Sequence, residues 1–176
     1  MKNEFIMSDI SLDKFLEILQ PNDIIEIYTD GSCKGNPGAG GWGAILLFKN
    51  NRVILSGNEL STTNNRMELT AAIQAINTLP DYVRIVIYTD SSYVKNGITV
   101  WLKSWKLNNW KTADNKPVKN IDLWKKLDDV AQNKNISWNW VKGHSDCENN
   151  NNADFIAKSA ISEIENSFIS KNEIQG

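Results

Sequence analysis

Histidine is almost missing from these 176 residues, with a single copy at His144, and cysteine is confined to Cys33 and Cys147. One imidazole cannot build a zinc site of several histidines, and the two thiols show no metal-ligand spacing. So few cysteines fit a reducing compartment and free thiols better than a disulfide framework. Long apolar runs are lacking too: nothing approaches the ~20 residues of a membrane span. The first twenty residues lack the basic start and small-residue cleavage site of a secretory signal. A cytoplasmic protein with no membrane association is expected. There is no overall excess of positive charge, the net value being -2, so the chain is not basic all over. Arginine is sparse, 3 against 16 lysines, a bias that carries no mechanistic weight.

What is present suits one soluble-type globular domain with a real core: 41% of residues are apolar and 23% charged. The expected organisation is a helical extension over residues 1–21, a main domain over 22–166 and a frayed tail over 167–176. In the extension, Ser11 is placed to cap a helix whose apolar stripe is Leu12, Phe15, Leu16 and Leu19. Pro21 ends it.

The main domain repeats one word. Ile27-Tyr28-Thr29-Asp30 returns as Ile87-Tyr88-Thr89-Asp90. Both are β-branched and aromatic runs that read as strands, and both stop on an aspartate. If the strands lie side by side and parallel, their ends are about 4.8 Å apart. Two carboxylates that close repel unless a proton or a cation, most obviously a divalent metal, neutralises them. The alternative is that each aspartate simply turns the loop after its strand.

Between the two words the pattern predicts a glycine-rich loop from Gly31 to Gly41, then a hairpin of strands Trp42–Phe48 and Val53–Leu60. The loop lacks the order of a P-loop. It reads either as tight turns or as backbone N–H groups open to phosphate or sugar oxygens. A helix follows the polar cluster Thr62–Glu68, with core face Leu69, Ala72, Ile73, Ile76 and Leu79. Glu68 in its opening turn reads equally well as a dipole or capping carboxylate and as a functional one. After the second word come a helix from Ser91, a helix near Ile121–Gln132, the alternating strand Ile136–Val141 and a last helix from about Ala153. Asp146–Asn152 reads as a polar, mobile segment. The order βββαβα(αα)βα predicts an α/β fold with a mixed five-stranded sheet, order 3-2-1-4-5, flanked by helices. That topology puts the two aspartate-ended strands next to each other.

Charge is unevenly placed. From Lys95 to Lys126 eight lysines face two acids, Asp114 and Asp122, a local excess of six positive charges. Trp101, Trp105, Trp110 and Trp124 alternate there with Lys103, Lys106, Lys111, Lys116 and Lys119. Such a segment is a basic ridge for a polyanion, or an amphipathic helix pair with tryptophan as its core; both predict the same pattern.

The segments TDGSCKGNPGAGGWGAIL, TTNNRMELTAAIQAI, YTDSSYVKNGI, WKTADNKPVKNIDLW and WVKGH, with Asp154 beyond, resemble the type 1 ribonuclease H family, of the bacterial kind with a basic protrusion. The resemblance runs from about Ile24 to Ile164 and leaves the N-terminal extension outside. It implies the ribonuclease H-like fold, with residues 22–166 as the catalytic domain. It also implies metal-dependent endonucleolytic cleavage of the RNA strand of RNA–DNA hybrids, giving 5′-phosphate and 3′-hydroxyl ends. The family's four carboxylates fall on Asp30, Glu68, Asp90 and Asp154, holding two Mg2+ ions, with Mn2+ as an alternative. Oxygen ligands of this kind suit Mg2+, and two such ions suit phosphodiester hydrolysis. His144 matches the family's mobile histidine, a proton carrier or product-release group.

For the substrate, the resemblance implies contacts from Gly31, Ser32, Cys33 and Asn36, from Thr63, Asn64 and Asn65, from Ser92, and from Trp101, Trp105, Lys106, Trp110, Lys111 and Lys119. The hybrid is the expected partner and a monomer the expected state. Two departures stand out. Ser92 occupies a position where the family usually has glutamine. Around His144 the usual glycine and proline are replaced, and Asn149–Asn152 is an unbroken asparagine run. The competing readings are a catalytically idle hybrid-binding module, and another nuclease or transferase of the same fold.

Overall fold

In the computed structural model, which describes residues 7–143 and 147–174, the run after Asp23 forms one long strand rather than a short one. The strands are β1 (Ser8–Asp9), β2 (Ile24–Gly35), β3 (Gly38–Phe48), β4 (Asn51–Thr62), β5 (Arg84–Thr89) and β6 (Asn135–Trp140). They form one sheet of order β1-β4-β3-β2-β5-β6. Counted from β2, this is the predicted mixed sheet: β2, β3 and β4 run as an antiparallel meander, and β5 and β6 join parallel. The two-residue β1 is an addition. It pairs parallel with the edge of β4, and Arg52 of β4 grips Asp9 through two guanidinium nitrogens. An otherwise open strand edge is covered there.

The helices are α1 (Leu12–Glu17), α2 (Asn64–Asn77), α3 (Ser92–Asn96), α4 (Leu102–Leu107), α5 (Ile121–Ala131) and α6 (Glu148–Ile174). A π-helical turn, Gly97–Trp101, joins α3 to α4. Ser11 caps α1, accepting the Lys14 N–H at 3.2 Å, and Phe15 is fully buried, edge-on to Phe48. The N-terminal extension therefore contributes to the main core. Thr63 caps α2, accepting the Arg66 N–H at 3.3 Å, and the predicted core face of that helix is buried.

The sheet carries a core on each face. The larger lies under α1, α2, α3 and α5 and includes Ile25, Ile27, Leu46, Ile73, Ile85, Ile87 and Trp124. The smaller, around Tyr28, Ile45 and Ala153, lies under α6.

Three expectations change. The glycine-rich stretch is not a loop: β2 and β3 remain paired from Asp30–Gly43 out to Gly35–Gly38, so its backbone is largely spent on the ladder. Its glycines serve close packing instead. A Cβ on Gly41 would fall 2.2 Å from the Ala157 carbonyl oxygen, so α6 sits directly on the strand. Asp146–Asn152, read as mobile, is helical from Glu148 onward, with Asn150 buried. Asparagine has poor helix propensity, but burial of one face overrides it. The tail read as frayed continues as helix to Ile174.

Candidate active site

Strand register decides where the first two carboxylates meet. β2 and β5 pair in parallel with Ile27 opposite Ile87, Tyr28 opposite Tyr88 and Thr29 opposite Thr89. The two tyrosine rings stack at 4.6 Å, 10° from parallel, locking the register side chain to side chain. Asp30 and Asp90 follow at the same end. Asp30 is only 4% exposed, and the Gly31 N–H donates to its Oδ1 at 2.9 Å.

Glu68 arrives from α2. A Cβ on Gly31 would lie 2.4 Å from the Glu68 backbone nitrogen, so glycine is what lets α2 rest on β2 at this point. Thr63 being the cap, Glu68 lies in the second turn and is buried, which removes the reading of it as a capping carboxylate. One oxygen from each of Asp30, Glu68 and Asp90 falls within 4.8 Å of the others.

Such a cluster cannot stay fully ionised on its own. Burial, reinforced by the negative charges of Asp90 and Asp154, pushes Asp30 up to about 7, although its bond with Glu68 pulls the other way. Burial first, and then the Asp30 charge, push Glu68 well above the usual carboxylate range. Glu68 Oε2 is also a buried oxygen with no hydrogen-bond partner. An orphaned buried acceptor among convergent carboxylates fits a hard divalent cation, which takes oxygen ligands and cancels the repulsion.

The cluster forms the floor of a cleft of about 220 Å³, lined also by Gly31, Ser32, Asn64, Asn150, Asn151, Asp154 and Lys158. Asp154, from α6, belongs to this cleft, but its Oδ2 accepts from Lys158 Nζ at 2.9 Å. Gly143 also borders the site: a Cβ there would lie 3.1 Å from Asp90 Oδ2. His144, the next residue, lies outside the described residues.

The other predicted contacts divide by position. Gly31, Ser32 and Asn64 line the cleft, and Asn65 is half-buried at the start of α2. Thr63 spends its hydroxyl on capping α2. The Cys33 thiol donates to the Gly38 and Thr62 carbonyls, both at 3.4 Å, and burial pushes its pKa up. Asn36 stands exposed in the tight turn at the far end of the β2–β3 ladder. Ser92 is exposed at the start of α3, where Ser91 is the cap.

The ridge is built from both readings at once. Trp124 is fully buried beside Tyr93 and Trp105, whose rings lie 5.4 Å away in each case. A Cβ on Gly97 would collide with the Trp124 ring, so the π-helical turn is seated directly on it. Trp101, Trp105 and Trp110 are half-buried, and Lys106, Lys111 and Lys119 are exposed above them. Lys106 is tied to Asp128 at 3.0 Å.

Three cleft residues were missed in the sequence, Lys158, Asn150 and Asn151. Lys158 left a signal, standing four residues after Asp154 on a predicted helix. Asn150 left none, because an asparagine run looks like loop.

Residues 22–162 match the family described as RNase H. The chain is 54% identical over 142 residues to the ribonuclease H of Paramagnetospirillum magneticum, covering 81% of this chain and 92% of that one. It is 55% identical over 139 residues to that of Nitrosococcus oceani, covering 79% and 95%. Among solved structures, it is similar to LC9-RNase H1, described as a type 1 RNase H with the type 2 active-site motif, with 29% identity and a TM-score of 0.74 over 82% of this chain and 74% of that one.

Proposed function

The chain belongs to the ribonuclease H family, and on that premise we propose that it is a divalent-metal-dependent endonuclease that hydrolyses the RNA strand of RNA–DNA hybrids, leaving 5′-phosphate and 3′-hydroxyl ends. One observation carries this reading: Asp30, Glu68 and Asp90 bring oxygens within 4.8 Å of one another, in a cleft that Asp154 also lines. Asp30, Glu68, Asp90 and Asp154 would hold two Mg2+ ions, with Mn2+ as an alternative. The ions would supply an activated water and counter-charge for the leaving oxygen.

The chain's own residues do the rest. Burial and the Gly31 N–H hold Asp30 in one orientation. Ser32 and Asn64 at the cleft offer a hydroxyl and an amide to the 2′-hydroxyl and base edges of a wide, shallow minor groove. His144 serves as proton carrier, histidine being the side chain type best suited to that role near neutral pH. The exposed lysines of the ridge follow the DNA strand's phosphates, and contacts of that sort bind without reading sequence. A reducing, cytoplasmic setting is part of this reading, with Cys33 and Cys147 in no disulfide, and no helix among the described residues is long and apolar enough to cross a membrane. The protein acts as a monomer.

The test is a cleavage assay on labelled hybrid, duplex RNA, duplex DNA and a duplex with one ribonucleotide, run with and without Mg2+. Cleavage confined to the ribonucleotide-containing strand of the hybrid, and lost with EDTA, is expected. Hybrid binding without cleavage would replace the enzyme by a binding module, and cleavage of duplex DNA would replace it by another nuclease of the same fold.

A further inference from the structure

The cleft contains one charge that the carboxylates do not explain. Lys158, one turn after Asp154 on α6, is the one cationic side chain among the described residues lining it. Its Nζ donates to Asp154 Oδ2 at 2.9 Å, and the ammonium side is 57% exposed against 32% for the carboxylate. An exposed pair four residues apart on a helix adds little stability. Its larger consequence falls on Asp154. Asp154 is not one of the three residues whose oxygens all lie within 4.8 Å of one another, although its carboxyl lies against that of Asp30.

Resting on the reading of this cluster as a cation-binding centre, we propose that Lys158 is a positioning residue that engages Asp154, competes with a divalent cation for that carboxylate and, once displaced, turns its ammonium to a phosphate oxygen of the bound nucleic acid. The chemistry of the side chain suits an exchange. An ammonium has three donors, of which one is used here. A four-carbon stem lets it swing without moving α6. Two opposed effects follow from deleting the charge. The carboxylate cluster becomes more negative and draws cations more strongly, while a polyanion entering the cleft loses an attractive partner.

The experiment is calorimetric titration of the full chain with Mg2+ and with Mn2+, comparing wild type, Lys158→Met, Lys158→Arg, Asp154→Asn and the double variant. Steady-state kinetics on hybrid at saturating Mg2+ accompany it. Lys158→Met is expected to bind cation about threefold to tenfold more tightly. Its KM for hybrid should rise about threefold, with kcat within about twofold of wild type. Lys158→Arg should restore KM, and in the Asp154→Asn background Lys158→Met should tighten cation binding by less than it does with Asp154 present. Equal or weaker cation binding by Lys158→Met overturns the proposal, as does an unchanged KM. If wild type itself takes up no divalent cation, the metal-centre reading falls as well; wild-type binding with an unmoved Lys158→Met sinks the Lys158 assignment alone.

Discussion

At the ends of β2 and β5, negative charge is forced together: Asp30 and Glu68 are buried and converge with Asp90 within 4.8 Å. On α4 and the segment that joins it to α5, positive charge is spread out: Lys106, Lys111 and Lys119 stand exposed above half-buried tryptophans. The first region is built by the sheet, whose register leaves no freedom in where Asp30 and Asp90 meet. The second is built by side-chain packing, and of its lysines only Lys106 is tied down among the described ion pairs, to Asp128. The difference teaches which charges are costly. Exposed lysines are nearly free of desolvation and act jointly through a screened field. Buried carboxylates oppose folding unless a proton or a cation neutralises them.

The sharpest way to break this contrast is Asp30→Asn. We expect cleavage of hybrid to fall by about 10²–10³-fold or more, with hybrid binding retained. Undiminished cleavage would show that the cluster is not the reactive centre. The measurement is single-turnover cleavage alongside a binding titration.

Metal-free stability should respond next. The folded pKa of Asp30 is raised to about 7 and that of Glu68 well above its usual range, so between pH ~4 and ~7 the native state holds more protons than the unfolded chain. Stability in EDTA therefore falls as pH rises through that window, on the order of a few kcal/mol. Asp30→Asn should flatten the fall, and added Mg2+ should offset it. Urea unfolding at pH 5 and pH 8 measures this; stability that rises with pH would refute the direction.

On the ridge, replacing Lys106, Lys111 and Lys119 together by Ala should raise KM and make the salt slope of hybrid binding shallower by about two to three units. An unchanged slope would return these lysines to a solvated face. The smallest effect is expected from Lys111→Ala alone, about twofold or less in KM near physiological salt. A single lysine that rivalled the triple variant would mean a specific contact rather than a shared field.

How much of this was legible before folding differs by residue. Asp30 and Asp90 were readable because a repeated apolar word ending in aspartate implies two adjacent strand ends. The sheet order followed from the sequence of strands and helices, with β1 the addition at the edge of β4. The glycine stretch was misread because glycine marks turns and close packing alike, and only the neighbouring Ala157 and Glu68 backbones distinguish the two. The asparagine run was misread because it is the first turn of a helix held by the buried face of Ala153, Ala157, Ala160 and Ile161 against β2 and β3, strands far away in sequence.

By itself, the sequence determined which groups are available: oxygen ligands without a histidine or cysteine cluster, an excess of lysine between Lys95 and Lys126, and alternating apolar patterns that select strands or helices. Local periodicity and side-chain chemistry suffice for that. Only the tertiary structure decided which groups meet. It put Glu68 beside Asp30 through the missing Cβ of Gly31, and tied Asp154 to Lys158 at the cleft. It also left the Glu68 Oε2 buried without a partner. Burial and distance set the charge of a carboxylate, and both are properties of the packed chain rather than of its order.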